Sequence, residues 1–393
     1  MYRIGQEEID EIIKVINSGQ LFRVGDKSAG FLGECDTFEE EWAAHIGSKY
    51  ALLMSGGGTA ALICALAALG IGPGDEVIVP AYTWLATASS VLAVGGIPVL
   101  ADIDDTLGLD PDDFEAKIGP AVKAVIPVHM VGRPANLERI IEIARKHGIK
   151  VVEDSCQMVG GSYHGKKTGS WGDAGAHSFN YFKVISCGEG GALVTDDKSI
   201  YETAGIYHDS GTCFRPKAMD LETPIFVAQQ YRANEIMGAM MRIQLRRLNG
   251  ILTDLRRIRK RLEASINNPM MKAAPSNDPD GDYGVALTLQ FAEPDTARAF
   301  ASSFGGGYLG IDHGKHIYTE WTPIREKRVN HRPDMNPFNF PQNRGLRADY
   351  SDEVCSRSLE ILRRTYFIPL CPDWTDSEID GIADRIWKAG EAL

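Results

Sequence analysis

Between residues 57 and 195, apolar stretches of helical length alternate with short runs of β-branched residues, the pattern of a parallel sheet covered by helices. That alternation restricts the chain to an α/β core. Residues 59–69 read as a helix closed by Gly70, after which Gly72-Pro73-Gly74-Asp75 turns the chain into a strand at Glu76-Val77-Ile78-Val79. A helix is expected near residues 84–94, strands at Pro98-Val99-Leu100 and over 122–128, a helix over 137–147 ended by Gly148, and a strand at Lys150-Val151-Val152-Glu153. Asp154 therefore stands at a strand's carboxyl end. Ligands of open α/β sheets collect at that edge, which makes a carboxylate there a candidate site residue.

Past Gly191 the pattern predicts a strand at Ala192-Leu193-Val194-Thr195, an irregular stretch over 211–228, and a long helix over 234–262. The arginine-rich run over 242–261 invites a nucleic-acid reading. Its Ile243, Leu245, Leu248, Ile251, Leu252, Leu255, Ile258 and Leu262 fall at helical spacing, however, so an amphipathic helix with a solvated basic face is expected. A formal charge of −12 also opposes binding to a polyanionic backbone. The Asn-, Pro- and Gly-rich residues 267–283 mark the approach to a smaller domain, with a strand over 283–289 and a closing helix over 377–389. A chain of 393 residues exceeds what one core usually spans, and the division expected is a large domain over 1–260 and a small one over 261–393.

With 44% hydrophobic and 24% charged residues the composition is that of a chain folded along its length. The longest apolar runs, over 60–69 and 91–100, are too short or too broken by Gly and Pro to cross a bilayer. The opening residues lack the regions of a signal peptide and lead into an amphipathic helix, so a cytoplasmic protein is expected. Seven scattered cysteines with no C-x-x-C pair suggest neither a disulfide framework nor a metal site.

Chemistry concentrates in Ser178-Phe179-Asn180-Tyr181-Phe182-Lys183-Val184-Ile185-Ser186-Cys187-Gly188-Glu189-Gly190-Gly191, where one lysine stands among aromatics before a glycine-rich turn. Burial there disfavours the ammonium, and a neutral amine is what attacks an aldehyde to form a Schiff base. Taken alone, a surface lysine is the plainer reading, and it is the one expected for Lys166 and Lys167 in their hairpin-like stretch. Two companions favour Lys183. Glu153-Asp154-Ser155-Cys156-Gln157 ends a strand, and Ser55-Gly56-Gly57-Gly58-Thr59-Ala60-Ala61-Leu62 opens a helix, whose free amides and dipole can hold a phosphate.

Together with Gly72-Pro73-Gly74-Asp75-Glu76-Val77-Ile78-Val79-Pro80, Thr83-Trp84 and Tyr231-Arg232-Ala233-Asn234-Glu235-Ile236, these segments make the chain resemble the DegT/DnrJ/EryC1/StrS sugar aminotransferases over nearly its whole length. The resemblance implies an α/β fold of type I among pyridoxal-phosphate transferases: a mostly parallel seven-stranded sheet flanked by helices, plus a smaller α/β C-terminal domain. It implies pyridoxal 5'-phosphate, cycling with its pyridoxamine form, carried on Lys183, with Asp154 facing the pyridine nitrogen to keep the ring an electron sink. Gln157 matches a partner of the ring's phenolic oxygen and Trp84 the aromatic stacked on the ring, although Trp84 alternatively belongs to the core. Gly58, Thr59, Ala60 and Ser178 match phosphate contacts, with the run of three glycines able to shift the donors by one residue. Asn234 matches a phosphate contact reaching from a second subunit, which implies a homodimer with composite sites; the plain alternative is a helix N-cap.

The expected reaction is ping-pong amino transfer from glutamate or glutamine to a keto-sugar or keto-cyclitol. Tyr181, His313, His316, Tyr318 and Arg344 are the candidate substrate contacts, the last in a loop over 331–344 that otherwise is a solvated connector. The C-terminal segments are similar to those of members aminating scyllo-inosose-type cyclitols, and Leu21-Phe22-Arg23 to those acting on keto-octulosonate acids. Two rivals remain: a dehydratase branch in which histidine replaces the lysine, and a regulatory protein that binds the cofactor without turnover.

Overall fold

The computed structural model of the protein describes residues 2–214 and 221–393. Met1 and residues 215–220, the latter inside the stretch expected to be irregular, lie outside the described residues. The first nine strands are β1 (Tyr50–Met54), β2 (Glu76–Pro80), β3 (Ile97–Ala101), β4 (Val122–Val125), β5 (Lys150–Asp154), β6 (Ser162–Tyr163), β7 (Lys166–Lys167), β8 (Ala174–Ser178) and β9 (Gly191–Thr195). Seven of them form one sheet in the order β1-β9-β8-β5-β4-β2-β3. Only β9 opposes the common direction, pairing antiparallel with β1 and β8, while the β5–β8, β4–β5, β2–β4 and β2–β3 pairs are parallel. The mostly parallel seven-stranded sheet implied by the resemblance is present.

The early helices are α1 (Gln6–Ser18), α2 (Glu34–Ile46), α3 (Gly57–Ala68), α4 (Ala86–Ala93), α5 (Pro111–Ala116), α6 (Leu137–His147), α7 (Lys198–His208) and α8 (Glu235–Glu263). Both sheet faces are covered, and strand alternation feeds two cores. Val77 and Val79 join the apolar side chains of α3 and α4, whereas Ile78 between them joins those of α5 and α6. The ends of α6 fall where the sequence puts them. Asn136 accepts a hydrogen bond from the Arg139 amide, Arg145, Lys146 and His147 fill the last turn, and Gly148 takes the left-handed conformation at φ 67°.

Every predicted apolar position of α8 is buried except Leu245, which is partly so. Its basic face is not simply solvated. Arg242 pairs with Glu34 and Glu41, Arg247 with Glu7 and Glu8, and Arg259 with Glu263, so the arginines fasten α8 to α1, α2 and itself.

The remaining elements are β10 (Met271–Ala273), β11 (Ala286–Phe291), α9 (Pro294–Phe304), β12 (Tyr308–Leu309), α10 (Thr322–Arg325), α11 (Ser356–Arg363), β13 (Thr365–Pro369) and α12 (Asp376–Glu391). Their strands make an antiparallel sheet ordered β10-β11-β13-β12. β11 starts three residues later than the pattern suggested. The Tyr283 and Gly284 amides are spent on the Gly132 carbonyl, and Gly284 is left-handed at φ 55°, so the ladder begins only beyond them. Arg257 and Arg261 of α8 also reach Asp376 of α12, tying the last helix to the longest one. No described helix is long and apolar enough to cross a membrane.

One buried carboxylate organises the connection from β5 to β8. Glu153, 0% exposed, accepts hydrogen bonds from the amides of Gly169, Trp171 and Gly172 and from His129 Nε2. Glu153→Ala leaves three amides and an imidazole without a buried partner, and should cost about 3–5 kcal/mol of unfolding free energy, read as a lowered urea midpoint.

Candidate active site

The carboxyl ends of β2, β5 and β8 and the amino end of α3 open into one cavity of about 390 Å³, closed on the far side by residues 308–316. At its floor sits Asp154, 4% exposed. Thr87 Oγ1 donates to Asp154 Oδ2 at 2.8 Å, the Cys156 amide donates to Oδ1 at 3.1 Å, and the Thr83 and Thr87 hydroxyls are 2.7 Å apart. Because Thr87 gives its proton to the carboxylate, it accepts from Thr83, and this chain fixes the carboxylate's orientation.

Lys183 enters the same cavity from a loop that folds back on the end of β8. The Phe179 amide donates to Gly190 O, Tyr181 to Gly188 O and Lys183 to Asn180 O, and left-handed Gly188 at φ 89° allows the return. Burial pushes the Lys183 amine below the ordinary lysine range; Cys156 and Asp154 pull against that shift and Lys315 adds to it. Lys166 and Lys167 form the short β6–β7 hairpin outside the cavity, and Lys167 donates to the Gly160 carbonyl at 2.6 Å.

Opposite Lys183, the first turn of α3 presents the Gly57, Gly58 and Thr59 amides. The helix has no preceding turn to use these donors. Ala60 is a correction: its amide bonds to Gly56 O at 3.3 Å and its side chain is buried outside the cavity lining, so the run of glycines moves the donors one residue toward the N-terminus. Glycine is needed at position 58, where a Cβ would sit 2.3 Å from Cys156 Sγ. Ser178 lines the cavity beside this turn.

Gln157 is oriented from two sides. Val131 N–H donates to its Oε1 at 3.2 Å, which leaves its amide NH2 to donate to His316 Nε2 at 3.3 Å. Val131 does this from φ 50°, a left-handed conformation that a β-branched residue rarely adopts. His316 is held neutral, its pKa lowered to about 3 by burial and then by His313, Lys315 and Lys183. With Nε2 accepting, its proton resides on Nδ1, which is buried without a protein partner. His313 stacks on Tyr308 at 4.3 Å and lies 4.4 Å from His316, while Trp84, half exposed, meets His316 edge-on at 5.8 Å.

Asp154, Gln157, Ser178, Lys183, Gly58, Thr59, Trp84, His313 and His316 thus converge. Besides Ala60, four expected residues do not line the cavity. Tyr318 is 1% exposed and its hydroxyl donates to Asp352 O, making it a core residue. Arg344 is on the surface, and Tyr181, 63% exposed, packs edge-on against Tyr2 and Phe182. Asn234 caps α8 by accepting from the Met237 amide, the plain alternative for it. Sequence reasoning did not single out Thr87, Cys156, Phe182, Tyr283, Tyr308 or Lys315, all close to the chemistry. The only available signal was proximity to quoted motifs, as for Lys315 between His313 and His316.

The residues fit a phosphorylated pyridine aldehyde. One depressed amine, one anchored carboxylate and an unshared helix N-terminus surround a cavity within the usual range for small ligands.

The family model described as the DegT/DnrJ/EryC1/StrS aminotransferase family matches residues 2–298. The chain is 30% identical over 397 aligned residues to the spore coat polysaccharide biosynthesis protein SpsC of Bacillus subtilis, covering 98% of this chain and 94% of that protein. It is 42% identical over 199 residues to the L-glutamine:2-deoxy-scyllo-inosose aminotransferase of Streptomyces kanamyceticus, covering 49% and 47%. Among solved structures, the E. coli GDP-4-keto-6-deoxy-D-mannose-3-dehydratase with bound hydrated PLP shares the fold at a TM-score of 0.79, with 21% identity and 98% of each chain covered.

A lysine whose amine is depressed in the folded state binds fewer protons there than when unfolded, so burying it is costly at neutral pH and the cost fades as pH rises toward 10.5. Lys183→Met in cofactor-free protein should therefore raise Tm at pH 7, with a smaller gain at pH 9.5.

Proposed function

Because the chain belongs to the DegT/DnrJ/EryC1/StrS aminotransferase family, we propose that it moves an amino group from glutamate or glutamine to a keto-sugar or keto-cyclitol by a ping-pong route. The observation that carries this reading is the shared cavity of the Lys183 amine and the Asp154 carboxylate, opposite free amides at the start of α3. The cofactor is pyridoxal phosphate, which supplies an electron-accepting ring while a carbon–hydrogen bond of the substrate is broken.

The chain's own residues do the rest. The Gly57, Gly58 and Thr59 amides and Ser178 hold the phosphate, now without Ala60. Asp154, oriented by Thr87 and Cys156 N–H, keeps the pyridine nitrogen protonated. Gln157, turned by Val131, would offer its remaining N–H to the cofactor's phenolic oxygen, and Trp84 would stand against the ring. Lys183 would hold the cofactor's aldehyde carbon, and its amine would move the substrate proton in both halves of the cycle. His313 and His316 line the side of the cavity that would receive the acceptor.

The working form in this reading is a cytoplasmic homodimer, in which Asn234 of each subunit, its Oδ1 capping α8, reaches the other's phosphate through its amide NH2. Residues 1–260 bind the cofactor and residues 261–393 close over the substrate.

Dehydration through the same cofactor requires histidine in place of the lysine, and position 183 is lysine. A regulatory binder without turnover would keep its visible absorption band when donor is added. Addition of glutamate or glutamine should bleach that band, and persistence with both donors overturns the proposal. Borohydride reduction followed by peptide mapping should leave the cofactor's mass on the Lys183 peptide. Asp154→Asn should retain cofactor and lose about 100-fold or more in turnover.

A further inference from the structure

Ping-pong amino transfer makes one cavity serve two unlike ligands in turn. The donor is an amino acid with an α-carboxylate; the acceptor is a polyhydroxylated ketone. A carboxylate taken from water into a partly apolar cavity without a counter-charge pays a heavy desolvation cost, so the cavity needs a cation for the first ligand.

Among the described residues lining it, the lysines are Lys183 and Lys315, and no arginine lines it. Lys183 is committed to the cofactor. Lys315 extends across the mouth, its Nζ 5.7 Å from the centre of the Trp84 ring and 5.4 Å from that of Phe182, distances at which ring faces attract an ammonium. That seat holds the cation without neutralising it, and among the described residues Lys315 forms no ion pair. The neighbouring backbone is fixed as well: the Thr83 amide donates to His316 O at 2.9 Å and the Tyr318 amide to Ala81 O at 3.1 Å. The ammonium is near enough to Lys183, His313 and His316 to lower all three, which places its charge toward the reacting end of the cavity.

Resting on the amino-transfer reading, we infer that Lys315 binds the α-carboxylate of the amino donor. The choice of lysine suits a shared site. An arginine would fix a carboxylate through two parallel hydrogen bonds and stay rigid when the ketone arrives, whereas an ammonium on four methylenes swings aside or donates to a hydroxyl.

The test follows the donor half-reaction of the cofactor-loaded enzyme by its absorption change, comparing L-glutamine with its α-carboxamide, which keeps the amine and loses the charge. The wild type should favour the carboxylate donor. Lys315→Met should shrink that preference about 10- to 100-fold, and Lys315→Arg should keep most of it. Calorimetric binding of glutarate, which has carboxylates but no amine to react, should weaken by a similar factor in Lys315→Met. A preference unchanged in Lys315→Met, with both donors active on the wild type, overturns the assignment. If L-glutamate, L-glutamine and the carboxamide all leave the wild-type spectrum unchanged, amino transfer fails as a reading and takes this role of Lys315 with it.

Discussion

Neighbouring residues on a strand face opposite ways, and at the end of β5 that rule sends two consecutive carboxylates to opposite sides of the sheet. Glu153 turns inward and binds the amides of the loop that leads to β8, while Asp154 turns into the cavity. The pair couples scaffold to site. The loop gathered by Glu153 packs so tightly on β8 that a Cβ at Gly175 would lie 2.1 Å from the Gly169 carbonyl. β8 in turn carries Ser178 and launches the loop that presents Lys183. Displacing the buried carboxylate would thus move both halves of the constellation, the amine and the acid.

Much of this was legible in sequence because it depends on local rules. A glycine stop at 148 and the 3.6-residue spacing of Leu and Ile along α8 are each properties of a few adjacent residues. Asp154 and Lys183 were legible for the same reason, standing at a strand end and before a glycine turn. β8 was not: Ala174-Gly175-Ala176-His177-Ser178 lacks β-branched residues, and at Gly175 the Gly169 backbone leaves no room for any side chain. β13 was overlooked, and its partners β11 and β12 lie far from it in the chain, so no short window displays the pairing.

The substrate side was least legible. His313, His316 and Tyr318 belong to one short segment, yet its tight turns send the two histidines to the cavity and the tyrosine to the core, with Lys315 at the mouth. Irregular backbone has no fixed period, so sequence spacing could not separate them. Ala60 fails for a related reason. Which amide at a helix start stays free depends on where the first intrahelical bond closes, and here the Gly56 carbonyl claims the amide of Ala60.

That same short segment is held to the end of β2 by main-chain hydrogen bonds, through Thr83 N–H to His316 O, Tyr318 N–H to Ala81 O and a bridge between Tyr82 and Ile317. A clasp made of peptide groups is indifferent to the side chains it carries. Positions 313 and 315 can therefore be exchanged for other residues while the roof keeps its height above the floor, whereas the His316 side chain also orients Gln157. Such an arrangement lets one scaffold be retailored to new ligands by drift at a handful of codons, with the machinery beneath left untouched.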